Sequence, residues 1–452
     1  MRPSIRPRNP RVAPNFLSLI AVLAACLQTP ARAETPTPIG DDFQVNTTTT
    51  GSQDFSDVAM APDGTFLVVW NGDEGGALLD GIFAQRFGPD GSPVGAEQAV
   101  NSFQNNQQNN PATTALTDGR FVVVWSSYGS PGDDNSYYSV QARLVDLAGE
   151  LVGDQFQVNN NTDGYQNAGD VAAMPDGGFV VVWSSDAAPS DNAGIVGRLF
   201  NSDGLAISDE FQINGYTTGN QALPRVDASP DGRFVVAWST YGASSGDDDD
   251  GLSVHIRHFD SFGAPIGDEL QVNTYTTGHQ WRPDIELDGD GDVVVTWMSA
   301  GSPTDHSGDS VQARLFDSTG QPITGEVQVN ETTLGAQARG RLTMQDGGAF
   351  VVAWESFGSG SHDGVFVRAF DADGTSTSGE IRINSQVEES FSPSIDGTGD
   401  DLAATWTSFV SPGDDDSGTS VLGRRLVLAL FADGFESGDT SAWSSQRSPE
   451  SP

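Results

Sequence analysis

Lysine is absent from all 452 residues, which excludes Schiff-base catalysis and the phosphate-gripping lysine of a P-loop. Cysteine is almost absent: Cys26 is the only one. No internal disulfide can form, so a large apolar core has to hold the chain together. Beyond the first 33 residues no run is apolar enough to cross a bilayer, and no stretch shows helical periodicity. Positive charge is scarce as well. Without the five arginines of residues 1–33, 16 basic residues face 62 acidic ones, a formal charge of −46. Such a surface repels nucleic acid and anionic lipid, and attracts cations or basic partners. The expectation is a monomer with no nucleic-acid partner and no transmembrane segment.

What is present begins with an export signal. Arg2, Arg6, Arg8 and Arg11 precede the apolar run "FLSLIAVLAACL", and "ARA" precedes Glu34; a charged head, a short apolar core and a small-residue cleavage site follow in order. Residues 1–33 are therefore read as a signal peptide and 34–42 as a linker. The alternative is a lipobox, "LAAC", that would leave a lipidated Cys26 anchoring an exported lipoprotein. Either way the expected location is periplasmic, extracellular or cell-surface.

The remainder repeats. A "VN" or "IN" asparagine recurs at Asn46, Asn101, Asn159, Asn214, Asn273, Asn330 and Asn384. A tryptophan closing a "DGGFVVVW"-like strand follows at Trp70, Trp125, Trp183, Trp238, Trp297, Trp354 and Trp406. An arginine comes next, at Arg86, Arg143, Arg198, Arg257, Arg314, Arg368 and Arg424, with a period of about 56 residues. Each unit reads as four short strands with Asp-Gly hairpin turns and one strand apolar on both faces. That predicts an all-β fold, a seven-bladed β-propeller of four-stranded antiparallel blades over residues 43–430. The chain opens on a fourth-strand copy, "FQVN" (43–46), and ends its last unit after a third strand. Residues 43–46 are thus expected to complete the last blade and close the ring. The tryptophans are expected to pack between blades, each stabilising by about 2–3 kcal/mol, and the recurring arginines to belong to the scaffold.

Alternating strand direction places the Asp-Gly turns and third-to-fourth turns on one face. The long second-to-third loops and the links between blades fall on the other. Those loops are acidic: "SPGDDNSYYS", "SSGDDDDGLS", "SPTDHSGDS" and "SPGDDDSGTS". Polar loops on a rigid scaffold are where binding usually resides, so the acidic loop face is the expected working face. Asp247, Asp248, Asp249, Asp250, Asp414, Asp415 and Asp416 are candidate calcium ligands, calcium being the one cofactor suggested. "DGDGDV" (288–293) lacks the glycine and glutamate of an EF-hand loop and reads as a hairpin turn. Trp281 follows Gln280, and no other landmark glutamine is followed by an aromatic residue. With His279, Tyr137, Tyr138 and Tyr241 it is the candidate surface for a sugar or protein ligand.

Catalytic signatures are few. "GASSG" (242–246) precedes no helix and runs into four aspartates, against the nucleophile-elbow reading. His255 and His258 lie three apart on a strand and point to opposite faces. His306 and His362 sit singly in acidic loops. The sialidase Asp-box fails in register, because "SPDGRFVVAW" puts glycine directly after aspartate. No catalytic residue is named. The unit "FQVN…DGGFVVVW…AR-FD–G" resembles an uncharacterised repeat of bacterial secreted and surface proteins, found in calcium-binding or adhesive chains and similar to propeller blades. The resemblance implies architecture rather than activity. The tail 431–452 resembles a short C-terminal sorting segment of exported bacterial proteins, or is a disordered end. The function expected from these residues is a non-catalytic, exported module that binds a glycan or protein partner on its acidic loops. The alternatives are a carbohydrate-active enzyme using loop aspartates, or a purely structural surface module.

Overall fold

The Asp-Gly pairs make the tight turns that the repeat requires. In "PDGG", Gly177 takes φ +89°, and the Asp176 carboxylate accepts the Gly178 amide at 3.0 Å, an arrangement that glycine and aspartate allow at little cost. Turns of this kind fold the chain into antiparallel hairpins, and the computed structural model resolves them into seven four-stranded sheets. It describes residues 35–429 apart from 74–80, 104–105, 131–136, 187, 189–192, 242–250, 306, 359–362, 386–389 and 410–417, and apart from the side chains of residues 168 and 429.

The first strands of the blades are Gln53–Met60, Gln108–Ala115, Gln166–Ala173, Gln221–Ala228, Gln280–Leu287, Ala336–Met344 and Ser390–Thr398. They contact one another in sequence, and the seventh returns to the first. The ring is a seven-bladed propeller with these strands around its axis. It closes as the sequence predicts, but with a longer clasp. The N-terminal strand is Thr35–Gln44, pairing with Ser420–Ala429 in the last blade, so it draws in most of the segment read as a linker. Val45 and Val421 continue the pairing, and Asn46 Oδ1 accepts the Val421 amide at 2.9 Å.

The repeated residues hold blades together. All seven landmark tryptophans are buried, and each sits in a core cluster shared with the preceding blade; Trp125, for example, packs with Leu67, Val69 and Ile82. Burial of an indole N–H calls for an acceptor. Gln53, Gln108 and Gln166 supply one to Trp70, Trp125 and Trp183 at 3.0–3.1 Å. Each landmark asparagine accepts, through Oδ1, the amide of a residue on the third strand at 2.8–2.9 Å. Six of the arginines reach back to the preceding blade: Arg143, Arg198, Arg257, Arg314, Arg368 and Arg424 donate to Val100, Val158, Ile213, Val272, Val329 and Ile383 carbonyls at 2.6–2.8 Å. Arg86 differs and donates to Thr65 Oγ1 at 3.0 Å.

Candidate functional site

Every first strand carries a β-bulge near its start. Six of the residues two places past the strand's landmark position, Phe55, Asn110, Leu223, Arg282, Arg339 and Ser392, have φ between +52° and +57°. Left-handed backbone is costly for such residues, asparagine apart, roughly 1 kcal/mol or more each. The bulge redirects the side chain, as bulges beside binding sites do. All six line one axial cavity of about 350 Å³, on the face of the inter-blade links. A second cavity of about 190 Å³ continues along the axis and shares Asp57, Arg225 and Arg341 with it.

The upper cavity is cationic in a strongly acidic chain. Arg225, Arg282, Arg339 and Arg341 line it, against the single carboxylate of Asp57. Arg225 lies 3.7 Å from Asp170 and 3.5 Å from Asp284, and Arg341 lies 3.1 Å from Asp284. Arg339 faces Glu355 at 3.5 Å, bonds the Ser392 hydroxyl, and stands 5.9 Å over the Phe55 ring. Among the described residues Arg282 makes no ion pair. Burial, and then the neighbouring Arg339 and Arg341, push its pKa below the ordinary guanidinium value. Phe55 and Leu223 give the cavity exposed apolar walls.

Beneath this layer the axis is acidic and cross-braced. Asp57 accepts the Thr113 amide of the next blade at 2.9 Å, Asp170 that of Val226 at 3.0 Å and Asp284 that of Leu342 at 2.9 Å. One layer down, Asp227 accepts from Leu287 and Asp396 from Met60, both at 2.7 Å. Burial raises the Asp170 carboxyl to about 6, although Arg225 opposes the shift. It raises Asp396 to about 6 and Asp227 to about 7. Glu286 is raised well above the usual range by burial and by the carboxylates of Asp227 and Asp396.

The residues singled out from the sequence lie outside the axial cavity, in two separate groups, Trp281 with His279 and Tyr241, and Tyr137 with Tyr138. Trp281 is half-buried at the start of the fifth blade's inner strand, edge-on to His279 at 5.8 Å. The His279 Nδ1 accepts the Leu252 amide at 3.1 Å. Tyr137 and Tyr138 stand on the second blade, and Tyr241 is exposed at the end of the fourth blade's second strand. His255 is buried between Ser253, 3.1 Å from Nε2, and Glu269, 3.7 Å from Nδ1. Ser253 and His255 are buried while Glu269 is half-buried, and this row takes the place of the Ser139–Gln141 and Ser310–Gln312 bonds of other blades. The candidate calcium ligands Asp247–Asp250 and Asp414–Asp416 lie outside the described residues, as do "GASSG", His306, His362, the signal segment and the tail. Among the described residues no group of three or more His, Cys, Asp or Glu could hold a metal. No helix there is long and apolar enough to cross a membrane.

Sequence reasoning missed the axial arginines and Glu355. Glu355 directly follows Trp354, where other blades place asparagine, serine, threonine or methionine. Aligning the residues after the landmark glutamine and tryptophan would have exposed these departures.

No family model matches the chain, and no curated protein does. Solved structures do. A protein of unknown function from Dyadobacter fermentans is similar over 87% of this chain and 99% of its own, at 11% identity and a TM-score of 0.52. The polysaccharide lyase Uly1 is similar over 88% of this chain and 100% of its own, at 10% identity and a TM-score of 0.51. An α-L-arabinanase from Penicillium chrysogenum follows at 13% identity, 76% and 100% coverage and a TM-score of 0.48. At these identities the likeness speaks to fold. It corrects the expected function nonetheless. The expected non-catalytic module working through acidic loops loses its support, because the fold is shared with a polysaccharide lyase. The described cavity on the loop face is also lined by arginine rather than by acid.

Proposed function

We propose that the protein is a carbohydrate-active enzyme whose substrate is an anionic polysaccharide, bound at the axial cavity. The observation that carries this reading is the arginine group. A chain with so few cations places four of them around one opening, and leaves Arg282 without an ion-pair partner among the described residues. A guanidinium crowded by like charges gains from a planar carboxylate or a sulfate that it can grip through two N–H groups. Phe55 and Leu223 offer apolar surface to the carbon face of the sugar.

Proton transfer falls to the layer below. Asp57 lines both cavities. Asp170, raised to about 6 by burial, lines the lower cavity, lies close enough to feel the Asp57 charge, and in this reading resupplies a proton to Asp57, which faces the substrate. A carboxyl poised near neutrality suits general acid catalysis. The leader segment supports an exported enzyme that meets its substrate outside the cytoplasm.

The test is a depolymerisation screen with polygalacturonate, alginate, a sulfated galactan and neutral dextran, read by new reducing ends and by ultraviolet absorbance of unsaturated products. Cleavage of an anionic polymer, lowered about 10- to 100-fold by Arg282→Ala, is expected. Turnover of dextran alone, or full activity in that variant, overturns the reading.

A further inference from the structure

We infer that the corner between the second and third blades is a remote sugar-stacking subsite, taking pyranose units of the same polysaccharide that the axial cavity holds; it rests on that reading. Four of the chain's seven tyrosines meet there. Tyr137 and Tyr165 rings lie 4.6 Å apart at 33°, Tyr138 and Tyr165 6.2 Å apart at 32°, and Tyr128 meets Tyr138 edge-on at 5.2 Å. Tyr128, Tyr137 and Tyr165 keep 39–42% of their surface exposed. None of these rings closes a core, so their burial does not explain their presence.

The corner faces the same way as the cavity mouth. Tyr128 follows directly on Ser127, which pairs with Gln108 at the head of the inner strand, and its amide bonds the Gln107 carbonyl at 2.9 Å. Two residues beyond Gln108 is Asn110, which lines the cavity. Aromatic faces suit the C–H faces of sugars, and amides at the edge suit their hydroxyls. Both are present. The Tyr138 hydroxyl donates to Gln107 Oε1 at 3.0 Å and accepts from Asn109 Nδ2 at 3.3 Å. Four side chains are far fewer than the roughly 20–30 residues a stable protein partner covers on each side, so a sugar chain is the occupant that fits. No charged residue takes part in the ring contacts. Neutral stretches between anionic units are therefore read here as well.

Affinity electrophoresis in gels containing polygalacturonate, alginate, sulfated galactan or dextran tests this, with wild type, Tyr137→Ala/Tyr165→Ala, Tyr138→Phe and Arg282→Ala side by side. The double variant is expected to bind the retained polymer about 10- to 50-fold more weakly, with an unchanged melting temperature because the rings are exposed. Tyr138→Phe should lose about twofold to threefold. Unchanged retention of the folded double variant, while Arg282→Ala loses it, overturns the subsite and leaves the axial reading standing. Loss in the double variant alone sinks the axial reading and keeps the subsite. No retention of wild type by any polymer overturns both. Conversion of a wild-type dimer to monomer by the double mutation, seen by light scattering, assigns the corner to self-association and overturns the sugar proposal.

Discussion

The outer strands and the inner strands of the same blades obey different rules. Around the outside, Asn, Trp and Arg recur seven times and, Arg86 apart, do the same job each time: capping a third strand, filling an inter-blade core, or reaching back to the preceding blade's carbonyl. Around the axis the backbone repeats but the side chains do not. Equivalent bulge positions hold phenylalanine, asparagine, leucine, two arginines and a serine. Constancy marks what closes the ring; variation on a constant backbone marks what the ring is for.

The contrast can be broken most severely at the periphery. Trp183→Ala opens a void in a fully buried cluster and should cost about 3–5 kcal/mol, read as a fall in the denaturation midpoint. Arg282→Ala should leave that midpoint within about 0.5 kcal/mol, because the side chain lines the cavity, still reaches solvent there, and has no ion pair among the described residues. An equal loss of stability in both would erase the distinction between scaffold and site.

Glu355→Gln sharpens it from within the site. Removing the buried carboxylate that faces Arg339 should tighten binding of an anionic oligosaccharide by about threefold to tenfold, while lowering the melting temperature. Weaker binding would make Glu355 a ligand contact rather than a counter-ion.

A smaller effect follows from the axial acids. The Asp227 carboxyl is raised to about 7, chiefly by burial. Its folded pKa lies above the usual value near 4, so folding favours the protonated form. That contribution is whole below about pH 4 and is lost as pH rises through about 7. Asp170 and Asp396, raised to about 6, act in the same sense over a lower window. Wild type should therefore lose melting temperature between pH 4 and 7 relative to Asp227→Asn, by about 2–4 °C. Parallel pH profiles would remove Asp227 from that linkage.

The smallest effect concerns strain. Leu223 sits at φ +57°, where a β-branched residue fares worse and glycine fares better. Leu223→Gly should be more stable than Leu223→Val by about 1–2 kcal/mol in urea unfolding. The opposite order would mean that Leu223 packing outweighs its backbone cost.

Much of the fold was legible because it is periodic. Seven copies of one strand pattern fixed the blade count. The orphan "FQVN" gave the mode of closure, though not its reach back to Thr35, since "TPTPIG" carries little strand signal. The axial site was not legible, because each of its residues occurs once. Arg225, Arg282, Arg339 and Arg341 lie along 117 residues of chain among ordinary strand positions. The acidic loops stand out instead, because like residues cluster there in sequence. Tyr137 and Tyr138 were visible as neighbours; Tyr128 joined them by strand pairing within the blade, and Tyr165 only across a blade boundary.

The sequence alone determined the number of blades, the strand order and the residues that seal one blade to the next, because those interactions are local or recur at a fixed spacing. Only the tertiary structure decided which side chains meet at the axis. Closing a ring brings the inner strands of all seven blades within reach of one another, and the bulge at each turns a position that alternation alone cannot assign toward the common cavity.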